Sequence, residues 1–340
     1  MHDLLFDNPS ADFSSPLHSG LGHSGLGLGQ EYLLSDSDHL VAVSNTFGGP
    51  GGSGGAGASG VSSTSTLVGN AHGLEINLIW DSSVTSASNW KAIESSVISA
   101  AKIFTTLFTN QDLLNIEVGF GEVAGFALAP GALGESASNG YIVPNDGTVD
   151  AALGAADAGL VQAGLMAPNA TSALDGVAGA NFFITSGEAK ALGLVDPVAG
   201  LDGAIGFSND APISFGHLLP RASQYDAIGI AAHEISEVMG RVGLEGASLG
   251  PFNNVYTPLD IFRYSAPGAP DVTPGPGYFS LNDGVTDLLP FNNPLNGGDS
   301  ADWAATPVTR GNAFDAFAST GLTFVTPVDV LTMAALGYHL

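Results

Sequence analysis

The chain has no cysteine among its 340 residues. Disulfides, thiolate nucleophiles and thiolate metal sites are thereby excluded, and any metal must be held by histidine and carboxylate. Positive charge is also scarce: seven Lys and Arg residues face 33 Asp and Glu, for a formal net charge of -26. Such a surface repels phosphate backbones and anionic bilayers, so no nucleic acid partner is expected. No apolar run approaches the roughly 20 residues needed to cross a bilayer, so no membrane span is expected. Residues 1–10 carry His2, Asp3 and Asp7 where a secretory leader would have a basic start followed by an apolar stretch.

What is present divides unevenly along the chain. Residues 1–71 are rich in Gly, Ser, Asp and His, and the tract 48–66 is almost wholly small and polar. That composition reads as a disordered tail and linker, because it offers too little apolar surface to offset the entropy of ordering. His2, His18, His23 and His39 fall in it and receive no role. From Leu74 the pattern changes, with Leu74, Ile76, Leu78 and Trp80 alternating with polar residues as a half-buried strand does. Trp90, Ile93, Val97, Ala101, Phe104 and Phe108 then recur at helical steps, predicting a long helix that ends near Asn110. A strand through Ile116, Val118 and Phe120, an Ala-rich helix over 151–166, and short strands at 182–185 and 205–208 follow. The segment 249–303 is Gly/Pro/Asn-rich and reads as irregular. Thr326-Pro327-Val328-Asp329 opens a Pro-started helix reaching Gly337. The expected fold class is α+β, with a mixed sheet, long helices and a loop-rich C-terminal half, over residues 72–340.

The segment Asp226 to Arg241 carries the chemistry. Asp226 is placed to cap a helix and Gly240 to end it. Between them, His233 and Glu237 stand one turn apart on the same face and can converge on one ion, while Glu234 points about 100° away around the axis. In metal hydrolases that offset separates two metal ligands from a carboxylate free to take a proton from the attacking water. A His-Glu pair at this spacing is also an ordinary helix-stabilising contact. The surrounding Ile228, Ile230, Ala231, Ala232, Ile235, Val238 and Met239 tilt the balance toward a site, since burying one imidazole and two carboxylates without a cation would be costly.

His233-Glu234-x-x-Glu237-x-x-Gly240 resembles the active-site helix of the zincin metalloproteases, and Gly240 the turn that follows it in metzincins. Glu237 stands where the family has a second histidine, and Gly243 where metzincins have a third. Across residues 72–340 the chain also resembles a group of bacterial metalloproteases, through Thr257-Pro-Leu-Asp260-Ile-Phe-Arg263, Tyr278-Phe-Ser and Gly298-Asp299-Ser-Ala-Asp302-Trp303. The resemblance implies a zincin-like domain binding Zn2+, or another divalent metal, through His233, Glu237 and a third residue. Glu234 would be the general base in hydrolysis of a protein or peptide substrate. The alternative is a non-catalytic zincin-fold surface or interaction module with a degraded metal site. Self-processing of the Gly/Ser linker is a third possibility. Few lysines, no cysteine and many Gly and Asp match bacterial proteins exported by signal-peptide-independent routes, so a secreted location is expected.

For the third ligand, Asp260 is the first choice, with Glu245, His217, Asp299 and Asp302 as alternatives. Asp260 could instead cap a helix or pair with Arg263, and Arg241 reads as a buried partner of an aspartate. Asn282-Asp283-Gly284 and the segment 292–302 fit Asx turns better than a calcium loop. Met333 reads as a helical core residue rather than one lying beneath the site.

Overall fold

A computed structural model describes residues 31–35, 40–42, 64–145, 147–167, 174, 177–198, 200–216 and 219–340. Most of the segment assigned to tail and linker, with His2, His18, His23 and His39, lies outside the described residues, as does His217.

The fold is mixed α+β, built on one ten-stranded sheet. Its strands are β1 (Glu31–Ser35), β2 (Leu40–Ala42), β3 (Thr64–Gly69), β4 (Glu75–Trp80), β5 (Leu113–Phe120), β6 (Gly134–Pro144), β7 (Asn181–Thr185), β8 (Gly203–Phe207), β9 (Ala247–Leu249) and β10 (Phe252–Tyr256). The order is β9-β10-β7-β6-β8-β5-β4-β3, with β1 pairing with β6 and with β2. The pairs β4/β5, β5/β8 and β7/β10 are parallel, and the others antiparallel.

Three of these strands come from the segment whose composition spoke for a tail and linker. Thr64–Gly69 pairs along its whole length with β4, from Thr64 opposite Trp80 to Gly69 opposite Glu75. Its Thr and Val residues suit a strand, and Val68 is buried while the face carrying Leu67 is exposed. Glu31–Ser35 lies along β6, where Leu34 joins Phe183, Leu244, Leu249 and Val255 in a small apolar cluster. A few apolar residues suffice when a preformed strand supplies the backbone partners.

The apolar alternation of β4 is realised in full, with Ile76, Leu78 and Trp80 all buried. The long helix α1 (Trp90–Leu107) crosses from β4 to β5 and buries Ile93, Val97, Ala101 and Phe104. The Ala-rich segment divides at Asp157 into α2 (Thr148–Ala156) and a short helix, Ala158–Gln162. After β7 comes α3 (Ser186–Ala191), capped by the Thr185 hydroxyl. The next helix, α4 (Ala227–Val238), packs against α1, β6 and β8, with Ile230, Ala231, Ile235 and Val238 in the main core. The final helix, α5 (Pro327–Ala335), buries Met333 in the same core.

The region read as irregular contains a small four-stranded sheet (Arg263–Ala266, Ala269–Pro270, Tyr278–Phe279, Leu289–Pro290) and an aromatic cluster. The Trp303 ring lies 5.2 Å from that of Phe291 and 5.8 Å from that of Phe279. Its indole N–H donates to Asp329 in the first turn of α5 at 2.6 Å. This fully buried tryptophan fixes the backbone that carries Asp302.

Candidate metal centre

Helix α4 begins where the sequence places its cap. The Asp226 carboxylate accepts the N–H of Ile228 at 3.1 Å and that of Thr323 at 3.2 Å. Gly240, at φ +118°, ends the helix. The Gly240 N–H reaches the carbonyl of Glu237 and the Arg241 N–H that of Ser236, the paired bonds of a Schellman motif. That turn carries Arg241 back along its own helix, where the guanidinium donates to Glu237 at 3.2 Å and to Ser236 Oγ at 2.7 Å. It also donates to Asp302 and lies over the Phe314 ring. Arg241 is fully buried, and Glu237 and Asp302 nearly so.

His233 Nε2 lies 3.1 Å from Glu237 Oε1 and 3.3 Å from Asp302 Oδ1. One donor atom from each residue lies within 4.8 Å of the other two, so the three could hold a metal ion. His233 Nδ1 is 2.8 Å from the carbonyl of Ala313. A carbonyl only accepts, so Nδ1 carries a proton and Nε2 faces the two carboxylates either as a lone pair or as the second N–H of an imidazolium. Three Lewis bases around one point require a cation, and a proton on Nε2 or a divalent metal meets that need. The metal alternative fits the donors, because one imidazole and two carboxylates are hard-to-borderline ligands on residues held in place by their neighbours.

The electrostatics without an ion are consistent with the proton. Burial disfavours the imidazolium, but the Asp302 carboxylate, opposed by Arg241 and reinforced by Glu237, holds His233 up at about 8. For Glu237, burial is outweighed by His233 and Arg241, with Ser136 adding a hydrogen bond, and the carboxyl falls to about 2.

Glu234 stands off the cluster, as its position on the helix requires, and is buried. A β-carbon on Gly134, the first residue of β6, would come 2.5 Å from Glu234 Oε1 and 2.7 Å from Ile230 Cγ2. Only a glycine leaves room for this carboxylate. His233, Glu234, Glu237 and Asp302 all line one cleft of about 740 Å³. Its other walls include residues 129–135, 297–299, 312, 313 and 315–319.

Asp260, the first choice for the third ligand, lies outside this cluster. Its Oδ2 accepts the N–H groups of Thr257 at 2.8 Å, Glu245 at 3.0 Å and Leu244 at 3.2 Å, closing a capping box on the 3-10 turn Pro258–Phe262. The carboxylate is committed to backbone donors and serves as a local clamp. Arg263 pairs with Glu245 at 3.0 Å, which leaves Glu245 outside the cluster too. Asp299 lines the cleft without joining the three donors. The sequence does hold a signal for Asp260: Thr257-Pro-Leu-Asp260 repeats the pattern of Thr326-Pro-Val-Asp329, and both are capping boxes with proline in the first turn. Asp302, one of the alternatives for the third ligand, is the one that joins His233 and Glu237, and it is also the aspartate that Arg241 holds.

Comparison with known protein-family models, curated proteins and solved structures gives no match. The geometry of the site therefore carries the functional reading.

Proposed function

We propose that the chain is a zincin-type, metal-dependent peptidase acting outside the cell. His233, Glu237 and Asp302 would hold a divalent cation, zinc in the first instance, and Glu234 would be its general base. The observation that carries this reading is a convergence: His233 Nε2 and two carboxylate oxygens meet at one point on the wall of an open cleft, while Nδ1 faces the Ala313 carbonyl. Bound there, a divalent cation supplies Lewis-acid polarisation of the substrate carbonyl and makes water more acidic.

The remaining work falls to the chain's own residues. Ala313 fixes the imidazole ring, and Arg241 holds the two carboxylates in register while offsetting part of their charge. Glu234, beside the cluster but not in it, takes the proton of the attacking water and passes it to the leaving amine. The cleft volume lies within the range that encloses a ligand of several residues' bulk.

One observation favours a second reading, a non-catalytic module. Without a metal, the imidazolium of His233 and the guanidinium of Arg241 balance Glu237 and Asp302 charge for charge, giving a closed structural network. Incubating wild type and Glu234→Gln with an unfolded protein and zinc separates the two readings. The peptidase reading expects fragments from wild type and a rate at least about 100-fold lower in the variant, with metal content unchanged. Absence of hydrolysis in both proteins, or equal hydrolysis by both, would sink it.

A further inference from the structure

The cleft is lined by Glu135, Asp226, Glu234, Asp299 and Asp315, besides the cluster carboxylates, and by no lysine or arginine among the described residues. Most of these have partners: Glu135 accepts the Ala129 N–H at 2.6 Å, and Glu237 and Asp302 share Arg241. Asp315 differs. It is 5% exposed, and its Oδ1 has no hydrogen-bond partner. It follows by two residues the carbonyl that orients His233, and it bridges Trp303, the residue next to Asp302. Thr309 gives this carboxyl a side-chain hydrogen bond, yet Oδ1 is left without a donor, and a buried carboxylate oxygen in that state costs stability that a donor from a ligand would recover.

We propose that Asp315 is a specificity-determining residue that accepts a protonated nitrogen of the substrate, a lysine or arginine side chain or a free amino terminus, close to the bond that Glu234 would serve. This inference rests on the peptidase reading and names its substrate class. A peptide cation in the cleft would supply the missing donor and offset negative charge that no basic side chain of the lining offsets. The bridge to Trp303 ties Asp315 to the backbone beside Asp302, so recognition there would set the position of the substrate along the cleft.

The test reads binding in the full chain carrying Glu234→Gln, so that it does not depend on turnover. The probes are nonapeptides of glycine and alanine with a dye at the C-terminus, followed by fluorescence anisotropy at 0.15 M salt. One is N-acetylated with a central arginine, the second is the same with citrulline, a neutral isostere, and the third has citrulline and a free amino terminus. We expect the arginine peptide or the free-amine peptide to bind at least tenfold more tightly than the acetylated citrulline peptide, and which of them does so identifies the source of the nitrogen. Asp315→Asn should remove that preference, whereas Asp287→Asn, an equal charge change at an exposed position outside the cleft, should leave it. If Asp315→Asn does not fold, Ala318→Lys on the exposed rim of the same cleft should abolish the preference in its place. Equal binding of all three peptides, or a preference that survives in the folded cleft variants, overturns the assignment. Hydrolysis of neutral and basic peptides at equal rates would overturn it while leaving the peptidase reading intact.

Discussion

Arg241 and Asp302, 61 residues apart in sequence, form a hydrogen-bonded ion pair buried from solvent. The same guanidinium holds Glu237, so one side chain organises both carboxylates of the cluster. Replacing it with methionine keeps most of the volume and leaves two buried negative charges with too little compensation. Arg241→Met should lower stability by about 3–5 kcal/mol in urea unfolding. If the cluster holds a metal, added zinc should recover part of that loss by binding the folded state alone. Arg241→Lys should fall between wild type and Arg241→Met, because an ammonium lacks the planar fork that meets both carboxylates.

Gly134 gives the role of Glu234 a test that leaves the carboxylate in place. A methyl group at position 134 would displace Glu234 Oε1 or Ile230, since both lie within 2.7 Å of where it would sit. Gly134→Ala should therefore reduce the hydrolytic rate by about 10- to 100-fold with unchanged metal content, because it moves the base and spares the cluster. Unchanged rates would mean that the position of Glu234 does not matter.

The pH dependence of stability should carry a signature from Asp157, at the break between α2 and the helix that follows. Burial holds its carboxyl up at about 7, and its Oδ1 has no partner. A carboxyl whose pKa is raised in the folded state stabilises the fold while it is protonated. Its contribution is full below the ordinary value near 4 and is lost as pH climbs to 7. Asp157→Asn should thus be close to neutral at pH 4 and raise stability at pH 8, by a few kcal/mol at most. Denaturant melts of both proteins across that range would show it, and a difference independent of pH would contradict the assignment.

How much of this was legible in the sequence follows from the distance over which each contact acts. His233 and Glu237 could be paired from spacing alone, because a helix brings positions four apart onto one face whatever the rest of the chain does. The buried face of β4 and the buried stripe of α1 were readable for the same reason. Asp302 reaches the site through Trp303, Phe291 and Phe279 in a region of short strands and turns, where no period links position to direction. Asp260 drew attention because it follows the helix closely, yet its local pattern with Thr257 and Pro258 already committed it to a cap. Strands β1 to β3 escaped notice because composition measures apolar content, and the polar residues that depress it are compatible with an added strand.

The central claim is that His233, Glu237 and Asp302 together bind a divalent cation. The most direct test is metal content by elemental mass spectrometry on wild type, His233→Ala, Asp302→Asn and Asp260→Asn, each loaded with zinc and then desalted. About one zinc per chain is expected in wild type and Asp260→Asn, and a loss in His233→Ala and Asp302→Asn. A wild-type protein that retains no metal, or an Asp302→Asn variant that retains it in full while Asp260→Asn loses it, would contradict the account.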